Sequence, residues 1–284
     1  MVSNRFALLR VAALALAGAL ANTAAAAAPD HPQRVASMNL CTDSMLFELA
    51  RPEQVVSVTT LSRDPDVSYF ADRSRDVHVN RGLAEEVIEL RPDLVLTGVH
   101  TASGANDLLR RLGFNVLAFE PALDLDTFRA SFRRLAAAIG AGARAERLLA
   151  TMDRRIELSR ARTPTPRPTA IIYRPNGFSP GFRSLAHDML VAAGFRNLAQ
   201  DFDIEYGGFV PLEKLVVAAP DFVLLDANPT HAPALADAIL IHPALLKQRD
   251  RKHLRRIEIA EKYWTCGGTF IAEAIEHLAS FAAH

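Results

Sequence analysis

A thirteen-residue pattern occurs twice in this chain, as Ala84-Glu85-Glu86-Val87-Ile88-Glu89-Leu90-Arg91-Pro92-Asp93-Leu94-Val95-Leu96 and as Leu212-Glu213-Lys214-Leu215-Val216-Val217-Ala218-Ala219-Pro220-Asp221-Phe222-Val223-Leu224. Each copy reads as a glutamate, a short apolar helix, Pro-Asp, and a buried strand, with the glutamate seven positions before the proline. The proline ends the helix because it has no N–H and forces the preceding residue out of the α region. The apolar run that follows suits a parallel strand covered on both faces. Two copies 128 positions apart predict two similarly built lobes rather than a short-period solenoid.

The chain has 284 residues, enough for two modest α/β domains. Its 32 basic residues balance 32 acidic ones, so no net field points to nucleic acid or an anionic membrane. At the amino terminus Arg5 and Arg10 lead into the apolar stretch Val11 to Leu20, and Ala24 to Ala28 offers A-x-A cleavage sites before Pro29. This predicts a cleavable signal peptide at 1–28. A membrane span needs roughly 20 apolar residues, more than this stretch supplies. The first cysteine, Cys41, lies inside the expected fold, so the mature protein is expected in the periplasm without a lipid anchor.

From Arg34 strands alternate with helices, which implies a mostly parallel sheet. Strands are expected at Arg34–Met38, Val55–Thr59, Asp93–Thr97 and Asn115–Phe119, and helices near Thr42–Arg51, Ala84–Arg91 and Ala105–Leu112. From Asp126 to about Ala161 there is no proline, and apolar residues recur at three and four. That spacing predicts one helix, with a bend possible at Gly140 and Gly142. At roughly 35 residues it would be about 50 Å long, a spine between lobes. The expected organisation is therefore an N-terminal α/β lobe at 29–124, a connecting helix at 125–162 and a C-terminal α/β lobe at 163–284, with the ligand cleft between the lobes. The second lobe is expected to hold strands Thr169–Tyr173 and Leu254–Ile259 and a terminal helix Thr269–Phe281.

The opening Arg34-Val35-Ala36-Ser37-Met38-Asn39-Leu40, the segment Val77-His78-Val79-Asn80-Arg81-Gly82, the connecting helix and both glutamate motifs resemble the periplasmic substrate-binding proteins of metal-chelate ABC importers, the family of cobalamin- and ferric siderophore-binding proteins. The resemblance covers about Arg34 to Ala282. It implies a receptor with no catalytic step and no cofactor of its own, in which metal enters only within the bound chelate. It further implies lobes that move little and one glutamate on each lobe, here Glu85 and Glu213, that docks against arginines of the importer's membrane permease. Two carboxylates far apart can fix both position and orientation on a basic partner. The alternative is that they are ordinary first-turn helix residues, with Glu86 a substitute for Glu85. A monomer with no nucleic-acid partner is expected.

Ligands of open parallel sheets bind beyond the carboxyl ends of the strands. That rule nominates Asn39, Cys41, Thr42, Arg63, Arg81 and His100 from the first lobe, and Arg174, Asn176, Asp226, Asn228, Trp264 and Cys266 from the second. Arg63, Arg81 and Arg174 would suit an anionic ferric chelate, because guanidinium binds carboxylate or catecholate oxygens bidentately. Each also has a plain structural alternative, a turn carbonyl or a nearby aspartate. Trp264 can stack on a corrin or fill the core. For Cys41 and Cys266 three readings stand open: a disulfide, two separate buried thiols, or thiols that touch a metal centre. A bare metal ion is the poorer ligand, since no H-x-x-x-H pair occurs.

Two other functions compete with the receptor. One is an exported thiol- or chelate-processing enzyme that uses Cys41 and Cys266; the other is a ligand sensor that docks onto a membrane receptor. The chain has no C-x-x-C, G-x-S-x-G, Walker lysine loop or G-x-G-x-x-G turn to support catalysis.

Overall fold

The computed structural model describes residues 31–226 and 254–283. The expected signal peptide at 1–28 and the candidate Asn228 lie outside them. The first lobe runs β1 (Val35–Ser37), α1 (Leu40–Leu49), β2 (Val55–Thr59), β3 (Val79–Asn80), α2 (Ala84–Glu89), β4 (Leu94–Gly98), α3 (Ser103–Arg111) and β5 (Val116–Phe119). Its five strands are all parallel, in the order β3-β2-β1-β4-β5. Every residue of β4 is buried, as a continuous apolar run in a doubly covered sheet requires. Leu94 and Leu96 pack into one helix layer while Val95 packs with Val87 and Leu109 on the other.

The segment 125–162 is not one rod. It forms α4 (Leu125–Ala138) and α5 (Gly142–Arg160), separated at Gly140, whose φ of +74° is a left-handed conformation that a side chain disfavours. Ion pairs Arg129–Asp153 at 2.7 Å and Arg133–Glu146 at 2.7 Å straddle the break, so the helices fold back on each other. The periodicity was continuous because both halves bury the same apolar stripe: Phe128, Phe132 and Leu135, then Leu149, Met152 and Ile156. The 19 residues of α5, about 28 Å, carry the chain to the second lobe.

That lobe comprises β6 (Thr169–Ile172), β7 (Phe178–Pro180), α6 (Leu185–Ala192), β8 (Arg196–Asn197), β9 (Gly207–Phe209), α7 (Leu212–Ala218), β10 (Phe222–Asp226), β11 (Arg255–Ile259) and α8 (Ile271–Ala282). A parallel sheet has the order β11-β10-β6-β8, and β7 and β9 form a separate antiparallel ribbon. Arg155 of α5 pairs with Glu276 of α8 at 2.6 Å. One apolar cluster includes Leu46 and Leu96 of the first lobe, Phe128 and Leu149 of the connecting helices, and Ile172 and Ile275 of the second. The lobes therefore share a core instead of meeting across a polar hinge.

The repeated Pro-Asp has a structural task that its spacing did not disclose. Asp93 accepts the N–H groups of Gln33 at 2.8 Å and Arg34 at 2.9 Å, and so pins the chain entering β1 beside β4. Asp221 likewise accepts the N–H and hydroxyl of Thr169 at 2.7 Å each and pins β6 beside β10. In both copies the residue before proline has left-handed φ, Arg91 at 46° and Ala219 at 44°, and this turns the chain from helix into strand.

Candidate functional site

In the first lobe the strand order reverses between β1 and β4, and the crevice beyond their ends is where such sheets bind ligands. Asn39 follows β1 and caps α1, accepting the N–H groups of Cys41 at 2.9 Å and Thr42 at 3.3 Å. Its amide donates to the Thr101 hydroxyl at 2.9 Å, which ties the two strand ends together. A Cβ at Gly98 would stand 2.6 Å from that hydroxyl, so any larger residue there would displace the Asn39–Thr101 link. Thr42 is buried, its hydroxyl 2.7 Å from that of Ser37.

These residues form one wall of a cavity of about 320 Å³ between the lobes. The first lobe adds Met45, Val99, His100, Phe119, Glu120 and Leu123; the second adds Pro180, Arg183, Ser184, Leu185, Tyr206, Trp264, Thr265, Cys266 and Gly267. The walls are largely apolar with a few polar groups, at the small end of the size range of ligand pockets. His100 lies 3.6 Å from Glu120 at the surface. Opposite it, Arg183 pairs with Glu205 at 2.7 Å and donates to the Tyr206 hydroxyl at 3.1 Å. His100, Glu120 and Tyr206 are lining side chains whose donor atoms are chemically suited to ligate a metal.

The structure brings Asn39, Cys41, Thr42, His100, Trp264 and Cys266 to this cavity and leaves Arg63, Arg81, Arg174, Asn176 and Asp226 outside its lining. Arg63 donates to the carbonyls of Arg75 at 3.3 Å and Val77 at 3.0 Å. Arg81 pairs with Glu86 at 3.2 Å, and Glu86 also accepts the Arg81 N–H. Arg174 closes the reversal point of the second sheet, bonded to Asp226 at 2.7 Å and to Glu261. Burial works against its charge, but the hydrogen bond it donates to Glu261 and the field of Asp226 prevail and raise its pKa. Burial also raises the pKa of Asp226 against the pull of Arg174. Asn176 is exposed in a turn at φ 61°. The three arginines expected to grip an anionic chelate are thus held by internal partners.

Sequence reasoning missed Arg183 and Tyr206. They do not follow a strand of the parallel sheet; the segment before α6 and the approach to β9 carry them in. The only local signal is steric: a Cβ at Gly181 would meet the Glu205 carbonyl at 2.2 Å.

Cys41 and Cys266 are joined in a disulfide with Cα atoms 4.8 Å apart, which resolves the three readings. Neither sulfur is left as a thiol for catalysis or metal binding. Trp264 is 8 % exposed, a core side chain on one edge and a pocket wall on the other. Glu85 and Glu213 occupy the same second position of α2 and α7, both exposed. Glu85 forms no ion pair among the described residues, whereas Glu86 is engaged by Arg81.

Two parallel α/β lobes, a helical connection and a cavity between them define a two-lobed binding protein. A family model described as periplasmic binding protein matches residues 35–261, and the chain belongs to that family. It is 24% identical over 261 residues to the uncharacterized ABC transporter substrate-binding lipoprotein YvrC of Bacillus subtilis (strain 168), covering 88% of this chain and 79% of that one. Among solved structures, the periplasmic heme-binding protein RhuT from Roseiflexus sp. RS-1 superposes with a TM-score of 0.74 at 23% identity, covering 88% of this chain and 98% of the other. A protein described as an ABC-type Fe3+-hydroxamate transport system, from Saccharomonospora viridis DSM 43017, gives a TM-score of 0.68 at 20% identity over 88% and 93%.

Proposed function

We propose that this chain is an exported receptor that captures an iron chelate with a flat or bulky apolar body, haem foremost, and delivers it to the permease of an ABC importer. The observation that carries the reading is the interlobe cavity itself. Its apolar walls suit an organic ligand, and His100 and Tyr206 offer an imidazole and a phenol from opposite lobes. Among the described residues no cluster of three or more His, Cys, Asp or Glu side chains is placed to hold a bare ion, so the chelator has to supply most of the metal's coordination. The absence of Arg63, Arg81 and Arg174 from the cavity lining argues against a polyanionic catecholate. The names of the structural relatives, one heme-binding and one linked to Fe3+-hydroxamate, point the same way. Cys41, the first cysteine, is bridged, which leaves neither sulfur for lipid attachment.

The test is titration of the mature protein with haem, a ferric hydroxamate, a ferric catecholate and cobalamin, followed by Trp264 fluorescence and chelate absorbance. Saturable one-to-one binding of haem that weakens in Tyr206→Phe or His100→Ala is the expected result. Tighter binding of the catecholate, or silence from all four, would reject the ligand assignment. For delivery, Glu85→Arg combined with Glu213→Arg is expected to abolish import in vesicles holding the permease while ligand affinity stays unchanged. Equal loss of both would count against docking through these carboxylates. Ligand binding with no permease engagement at all would favour a sensor.

A further inference from the structure

Cys41 stands in the first turn of α1 in the first lobe, and Cys266 lies in the loop after β11 in the second. Their bond spans 225 positions of sequence and forms part of the wall of the interlobe cavity. The other interlobe contacts of this region lie on the same flank. Glu48 of α1 accepts the N–H and hydroxyl of Thr269. The Tyr69 hydroxyl donates to Glu273 at 3.0 Å while its ring stacks on Phe270 at 4.2 Å, and the Lys262 N–H reaches the Asp66 carbonyl at 2.9 Å. On the opposite flank, among the described residues, no hydrogen bond or ion pair crosses from His100 or Glu120 to Arg183 or Tyr206. The cavity is thus cross-linked along one edge, whereas on the other the His100–Glu120 and Arg183–Tyr206 pairs face each other without a direct bond and the Leu125 N–H reaches Asp188 at 3.0 Å behind them.

We infer that the Cys41–Cys266 bridge is a covalent clasp that fixes the separation of the cleft walls, so that the pocket holds its binding width before ligand arrives. The noncovalent contacts beside it are hydrogen bonds, apolar packing and ring contacts of Tyr69 and Phe70 with Tyr263 and Phe270, each of which can open in a local fluctuation. A disulfide cannot open that way. A pocket held in shape loses less freedom when ligand enters, so the clasp also tightens ligand binding. That consequence rests on the binding function proposed above; the fixed width does not.

The experiment compares the oxidised protein, the same protein reduced under native conditions, and Cys41→Ser with Cys266→Ser. The reductant is a water-soluble trialkylphosphine: the S–S bond breaks, each sulfur takes a proton, and phosphorus gains the oxygen of water as phosphine oxide. Two readouts need no ligand. They are acrylamide quenching of Trp264, the sole tryptophan, and amide hydrogen exchange across residues 64–74 and 261–270. Both should rise on reduction and in the double variant, with near-ultraviolet circular dichroism confirming a folded protein, and haem affinity should fall by about tenfold. Should the double variant fail to fold, the reduced wild-type protein decides. Unchanged quenching and exchange after complete reduction would overturn the clasp. So would weaker haem binding by an unloosened cleft, since the sulfurs would then act by touching the ligand. A looser cleft with undiminished affinity would overturn the link to ligand binding. If no chelate binds, quenching and exchange still decide the width.

Discussion

Glu48 is a carboxyl group buried at the junction of the lobes, and burial raises its pKa from 4.5 to about 7 against the two hydrogen bonds from Thr269. Between those values the unfolded chain is ionised at this position while the folded one stays protonated, so unfolding releases a proton and stability falls as pH rises. The loss reaches about 3 kcal/mol across that window and adds nothing below it. Asp43, fully buried and pushed up to about 6, acts with the same sign in a lower window. Urea denaturation at pH 5 and pH 8 should therefore show a steeper decline for the wild type than for Glu48→Gln, whose amide resembles the protonated acid. Parallel declines would mean that Glu48 is charged in the native protein. Asp221 acts through hydrogen bonding, accepting both the N–H and the hydroxyl of Thr169. Asp221→Ala should cost about 1–2 kcal/mol, because the N–H and hydroxyl of Thr169 lose their carboxylate partner. A stability equal to wild type in urea would show that water replaces it without loss.

Each copy of the repeated motif turns from helix to strand through a residue other than glycine in a left-handed conformation, Arg91 and Ala219. Ala219 is exposed at the end of α7, its N–H bonded to the Leu215 carbonyl, and nothing in that turn needs its methyl group. Ala219→Gly should raise stability by roughly 0.5–1 kcal/mol, since glycine adopts positive φ without the steric cost, although its freer unfolded chain takes back part of the gain. A thermal midpoint at or below that of wild type would sink this account. The motif itself was readable because proline, helix periodicity and an apolar run each have a local physical cause. The core strands and the helices flanking them were readable for the same reason. What could not be read was anything set by distant parts of the chain. The three-and-four periodicity of Phe128 to Ile156 is the same for one helix as for two that fold back over a shared core, and only the left-handed Gly140 separates them. Strand-end counting picked out Asn39, His100 and Trp264, which follow strands of the parallel sheets and line the cavity. It also picked Arg63, Arg81 and Arg174, which stand outside the cavity lining because a guanidinium at a strand end is captured by whichever carbonyl or carboxylate lies nearest. It gave no sign of Tyr206, which comes from a ribbon outside those sheets.

Two lobes with separate sheets could unfold one after the other, as domains joined by a linker do. Here a single apolar cluster runs from Leu46 and Leu96 through Phe128, Leu149 and Met152 to Ile172, Ile275 and Trp264, so neither lobe keeps its core if the other is lost. Exposing half of that cluster to water would cost about 25 cal/mol for each Å² uncovered, with no compensating gain in the half that stays folded. Cooperative unfolding of the whole body follows. In urea the fluorescence of Trp264, which reports the junction, and far-ultraviolet circular dichroism, which reports all the helices, should trace one coincident transition. Reduction of the Cys41–Cys266 bridge should move that transition to lower urea without splitting it, by about 2–5 kcal/mol, because the link constrains the unfolded chain while the shared core stays intact. Two separated transitions in the oxidised protein would show that the helical layer does not couple the lobes. Two transitions in the reduced protein alone would assign the coupling to the bridge and not to the core.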